Sequence, residues 1–276
     1  MRLRKRALLS KFFADRGTHL AAMVAYFALL SFVPLVFLSL SLLGFAHRAD
    51  ASDFLVKELS RAFPSSSLAS ILTLVHRVQD NAAALGIIGA VGLLWSSLSL
   101  FSALESAFNI VYGRPNRSFL HGKAVAFAVM VGCLVTLFAS LVVGAVGVEG
   151  LKHYAPGFVS NFVVAYGVSV VVSLSGVFAF LVAVYRLLTN APVTVPDVLP
   201  GAVAAAVALE ASFQVVPVFV RLADVNVTLR VLGGPVILLL WLYAMANVIV
   251  LGAELNWWLA ERRALAVVTE PLDGLA

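Results

Sequence analysis

Six stretches of this chain are long and apolar enough, as helix rising about 1.5 Å per residue, to cross roughly 30 Å of hydrocarbon. They cover residues 20–45, 83–111, 124–148, 162–188, 198–220 and 232–259, and the segments between them hold most of the charge. The period-two alternation of a membrane barrel is absent, so the spans are expected to be helical. Composition agrees: of 276 residues, 62% are hydrophobic and 12% charged, which a soluble domain does not tolerate. The expected fold is an all-α polytopic membrane protein, a single membrane domain of six transmembrane helices.

Orientation follows from the basic residues. With a cytoplasmic N-terminus, twelve of the 19 lysines and arginines fall on the cytoplasmic side and seven outside. The positive-inside rule therefore predicts both termini in the cytoplasm. The leader, residues 1–19, carries Arg2, Arg4, Lys5 and Arg6 ahead of Leu8, Leu9, Phe12 and Phe13. Such a segment suits a topology anchor or an interfacial helix over anionic headgroups at the cytoplasmic face. The apolar run after it exceeds the h-region of a signal peptide, so a retained first span is expected. Residues 260–276 are expected to form a cytoplasmic tail.

Residues 47–81 are too long for a turn. Phe54, Leu55, Leu59 and Phe63 follow one helical face and Leu68, Ile71, Leu72, Val75 and Val78 another, separated by Pro64 and three serines. Two short amphipathic helices are expected there, on the outer side.

Several chemistries find no support. Cys133 is the single cysteine and the five histidines are scattered, so no metal ligand set is signalled. No phosphate-binding glycine loop and no nucleophile elbow occurs, and topology accounts for the net charge of +5 without nucleic acid. No cofactor, metal or catalytic residue is expected.

The informative residues are polar ones inside the spans. Glu105, Glu210 and Glu254 lie in apolar segments, where an ionised carboxylate is costly. On the second span Trp95, Ser99, Ser102, Ser106 and Asn109 recur at helical spacing, with Glu105 beside them. On the fifth, Glu210, Gln214, Pro217 and Arg221 share a face; on the sixth, Tyr243, Asn247 and Glu254 do. Such stripes are expected to turn inward, into either a bonded core or a hydrated cavity. Glu105 and Glu254 belong near one membrane face, where Arg186 or Arg117 is a natural partner, and Glu210 lies deeper, beside Gln214. Pro34, Pro217 and the run Gly233, Gly234 and Pro235 are candidate hinges.

The runs AAMVAYFALLSFVPLVF (21–37), LGIIGAVGLLWSSLSLFSALESAFNIVYGRPNRS (85–118), VYRLLTNAPVTVPDVLPGA (184–202) and LLLWLYAMANVIVLGAELN (238–256) resemble the YihY/BrkB family. The resemblance is in order along nearly the whole chain. It implies a bacterial inner-membrane protein with six helices and says less about activity, its members carrying virulence-factor, transporter and ribonuclease labels. This chain departs from the family around Leu188 to Pro192 and at Leu232-Gly233. The leading functional expectation is transport of a lipid, amphiphile or small solute through a polar space between helices. The alternative is an envelope scaffold whose glutamates only hold helices together.

Overall fold

A computed structural model of the chain describes residues 7–45, 82–133, 135–136, 162–225 and 234–269. Among these, all regular structure is helical. A short α1 (Leu8–Ala14) turns into α2 (Gly17–Phe45), and α3 (Ala82–Val111) leads into α4 (Phe119–Cys133). Then follow α5 (Phe162–Leu188), α6 (Val195–Val225) and α7 (Gly234–Thr269). Four of them, α3, α5, α6 and α7, are long and apolar enough to cross a membrane, and the described parts of α2 and α4 add shorter apolar helices. The chain is a membrane protein. The two amphipathic helices expected within 47–81 lie outside the described residues, as does Gly233.

Local chemistry explains the boundaries. Where α3 ends, Gly113 takes a left-handed φ of 61°, its N–H bonds back to Ile110 and that of Arg114 to Asn109. This is the Schellman arrangement, which satisfies carbonyls the helix leaves open. At the start of α6, the Thr194 hydroxyl and N–H both donate to Asp197 Oδ2, and the N–H contact is one half of a capping box with Asp in place of Glu. Gly234 and Pro235 open α7, where a missing N–H costs nothing. The helix then continues through Glu261, Arg262 and Arg263 to Thr269, well past the expected end of the span at 259. No glycine or proline interrupts it between Gly252 and Pro271. At 36 residues it is about 54 Å long, more than a bilayer core needs. Pro34 sits inside an unbroken α2, its ring beside Gly92 of α3, and Pro217 lies within α6.

The most extensive packing joins α2 to α3; α7 lies against both α2 and α6, and α6 against α5. Small residues make these approaches possible: Ala21 and Ala25 on α2, Ala103 and Ala107 on α3, and Ala202, Ala205 and Ala206 on α6 are all buried. α3 and α5 share a shorter contact, where Phe108 meets Tyr185 edge-on at 5.3 Å between ring centres. Away from it both expose apolar side chains, Ile87, Val91 and Leu94 on one and Val171 and Val172 on the other.

Candidate functional site

At one end of the bundle the chain gathers the ends of α3 and α5, the 252–257 stretch of α7, α1, and the beginnings of α4 and α6. Lys11 of α1 is buried there, 5% exposed. Its Nζ donates to Glu254 Oε2 of α7 at 2.8 Å and to the Val111 carbonyl at the end of α3, also at 2.8 Å. It also bonds Asp15, and lies 4.1 Å from the centre of the Trp257 ring. One lysine thus joins three helices. Glu254 is fully buried, and its Oε1 has no partner. Nearby, Tyr112 in the turn after α3 is held protonated, because burial first, then the Asp197 and Glu254 carboxylates, raise its hydroxyl far above the usual phenol range.

A second pin is built on Glu105. The carboxylate accepts from the Arg117 backbone N–H at 3.2 Å and from its guanidinium at 3.3 Å. The same guanidinium reaches the carbonyls of Leu188 at 2.7 Å, Leu187 at 3.0 Å and Thr189 at 3.1 Å. Arg117 thereby caps the C-terminus of α5, where positive charge favours the helix dipole and open carbonyls need donors. Asn109, fully buried on α3, accepts from the Asn190 backbone N–H at 2.7 Å and donates to Asn116 at 3.0 Å. Asn190 in turn donates to the Pro115 carbonyl.

A third junction is steric. Gly201 of α6 and Gly252 of α7 cross so closely that a methyl group on Gly201 would overlap the Gly252 carbonyl. The Gly201 N–H donates to Asn256 Oδ1 at 2.6 Å, and the Tyr185 hydroxyl donates to the Ile249 carbonyl at 2.8 Å. The segments PGA at 200–202 and GAELN at 252–256 are thus two sides of one contact.

The expected site residues are distributed accordingly. Glu105 is joined to Arg117 and Glu254 to Lys11, while the Arg186 side chain is exposed. Glu210, 8% exposed, lies apart on the α5–α6 seam and accepts a hydrogen bond from Ser173 at 2.8 Å. It is about 14 Å further along α6 from this end than Gly201. Asn247 donates back to the Tyr243 carbonyl of its own helix. The side-chain surroundings of Gln214, Pro217 and Arg221 lie outside the described residues.

The polar stripe on α3 needs a correction. Trp95 is 79% exposed and Ser99 donates to the carbonyl four residues back, whereas Ser102 also accepts from Lys123 of α4 at 3.0 Å and Glu105 and Asn109 are buried. A hydroxyl satisfied within its own helix can face lipid, so this stripe is not driven inward as a whole. Lys11 and Ser173 carry no role in the sequence reading. Lys11 belongs there to the surface leader, and a lone serine in an apolar helix sends no signal.

A family model described as virulence factor BrkB matches residues 8–273. The chain is 26% identical over 269 residues to a ribonuclease-like protein, YfkH, of Bacillus subtilis, covering 94% of this chain and 95% of that one. It is 24% identical to a UPF0761 membrane protein of Psychrobacter sp. and 27% identical to one of Aromatoleum aromaticum, over 92% and 91% of this chain. It spans only 48% and 62% of those two relatives. No solved structure matches.

Proposed function

The chain belongs to the virulence factor BrkB family, and on that footing we propose that it is a six-span transporter of the bacterial inner membrane. Both termini are cytoplasmic in this reading, and the substrate is a lipid, another amphiphile or a small solute. The observation that carries it is an asymmetry. One end of the bundle is pinned by Lys11, Arg117 and the Gly201–Gly252 crossing, whereas the deeper polar pair, Glu210 with Ser173, sits on a seam between helices. A buried carboxylate at that depth, bonded across to a neighbouring helix, can meet a charged or polar group and leave an apolar tail in the bilayer.

The pinned end supports the orientation. Arg16, Arg114, Arg186, Arg262 and Arg263 are exposed there, beside the exposed Leu9, Phe13, Phe119 and Leu120. Arg262 stacks over Trp258 at 3.6 Å, and Lys123 lies 5.9 Å from the centre of the Phe119 ring. Basic and aromatic groups at one level suit an interface rich in anionic headgroups, the partner proposed for this face. The reading includes no enzymatic step, cofactor or nucleic acid. The ribonuclease-like name of the B. subtilis relative is not carried over, because the sequence supplies no metal-ligand grouping or activated nucleophile to perform it.

Proteoliposomes holding the purified chain test the proposal, with fluorescent phospholipids and small ions followed across the bilayer. Transport by the unsubstituted chain and a loss of tenfold or more in Glu210→Gln, at normal abundance and Tm, are expected, about 1.4 kcal/mol of lost transition-state stabilisation. A chain that moves none of them overturns the reading. One observation favours the scaffold alternative: Glu105 and Glu254 already hold helices together in ion pairs. If Glu210→Gln also costs only stability, the scaffold reading stands.

A further inference from the structure

The surroundings of the Lys11 ammonium form a complete recognition site for that group. A carboxylate oxygen and a backbone carbonyl lie 2.8 Å from Nζ, on two different helices, and an indole face covers it at 4.1 Å. Carboxylate, carbonyl and aromatic face together are how proteins recognise a primary ammonium. The second carboxylate oxygen, Glu254 Oε1, is buried without a partner, so the seat holds one acceptor more than Lys11 uses.

The element that delivers Lys11 is short and is joined to α2 through a single strained residue. α1 has seven residues and no side-chain cap at its N-terminus. Its inward face is Lys11 and Phe12, while Leu9 and Phe13 are 60% and 64% exposed. Its junction with α2 runs through Arg16 at a φ of 56°, left-handed backbone that costs a non-glycine residue on the order of 1 kcal/mol. At Gly17 the Phe12 ring leaves no room for a side chain. α1 is thus a separate piece, folded back so that one cation enters the core.

We propose that the Glu254, Val111 and Trp257 seat is a binding site for a primary ammonium, filled in cis by Lys11 of α1 and offered to an amine-bearing ligand when α1 swings out. The inference rests on the transport reading and gives it a ligand class. The ammonium comes either from a lipid headgroup such as that of phosphatidylethanolamine or from a free amine. Asp15, the C-terminal cap of α1, moves with it, so the vacated site keeps the Glu254 carboxyl group and the Val111 carbonyl as its acceptors.

The full chain in nanodiscs supplies the test. In Lys11→Ala, n-butylammonium is expected to raise Tm by about 2–4 °C, with no rise from n-butanol and none in the double variant Lys11→Ala/Glu254→Gln. Absence of rescue, or equal rescue in the double variant, overturns the proposal. In the unsubstituted chain, hydrogen exchange of the Leu8–Ala14 amides is expected to rise about threefold when a ligand displaces Lys11. A rise with ethanolamine in solution assigns a free amine. A rise on replacing phosphatidylglycerol by phosphatidylethanolamine in the disc assigns a headgroup, and no rise with either overturns the seat even if Lys11→Ala is rescued. Should Lys11→Ala fail to fold, this exchange measurement decides alone. Flux is read separately: intact flux without an amine effect removes the seat and leaves transport standing, and the converse result removes transport.

Discussion

Glu254 accepts one hydrogen bond through Oε2 and none through Oε1, so taking away Lys11 leaves a buried carboxyl group without its cation. Removing one partner of a buried pair costs about 3–5 kcal/mol, whereas replacing both with apolar groups is often neutral. Lys11→Met is therefore expected to lower Tm sharply in thermal unfolding, and Lys11→Met/Glu254→Leu to recover most of the loss. Arg117 presents a different case, because its planar fork meets Glu105 and three carbonyls at once. A lysine keeps the charge and loses the fork. Arg117→Lys should cost about 1–3 kcal/mol and raise hydrogen exchange in the last turn of α5 more than elsewhere. At this scale the sequence was partly legible. It marks Glu105 and Glu254 as costly and offers Arg117 as a partner, but Lys11 comes from 243 residues away and from a segment that reads as surface. Arg186, the other partner it offers, is exposed.

Among the elements, the α6–α7 crossing depends on two hydrogens where side chains would stand. Gly201→Ala would drive its methyl group into the Gly252 carbonyl and Asn256, and neither can give way without shifting a helix. Overpacking of this kind costs about 1–3 kcal/mol. Loss of folded protein in Gly201→Ala, seen as a lower Tm and earlier elution as aggregate on size exclusion, is the expected outcome; Gly132→Ala, in open space, should change neither. The helices themselves are read well from the chain. Residues 162–188 are expected as a span and α5 occupies them, because the composition is apolar throughout and Phe162 and Leu188 adjoin charge or turn-forming residues. α7 overruns its expected limit because charge ends a hydrophobic span without ending a helix. At Trp95 and Ser99 the α3 stripe misleads for a related reason: spacing shows which residues share a face but not that a serine hydroxyl is already satisfied by its own turn.

For the whole molecule, the described basic side chains gather at the pinned end: Lys11, Arg16, Arg114, Arg117, Lys123, Arg186, Arg262 and Arg263 all belong to it. In a Cys133→Ser background, a cysteine replacing the exposed Arg114 should react with a membrane-impermeant maleimide in inverted vesicles and not in intact spheroplasts. The opposite pattern would reverse the topology proposed here. The Lys11–Glu254 pair also bears on how the molecule is made. Its cation leaves the ribosome 243 residues before its carboxylate, at about 5–20 residues per second. Until then Lys11 has Asp15 and the Val111 carbonyl as partners but not Glu254. A nascent chain that has not yet reached Glu254 therefore lacks the ion pair that ties α1 to α7.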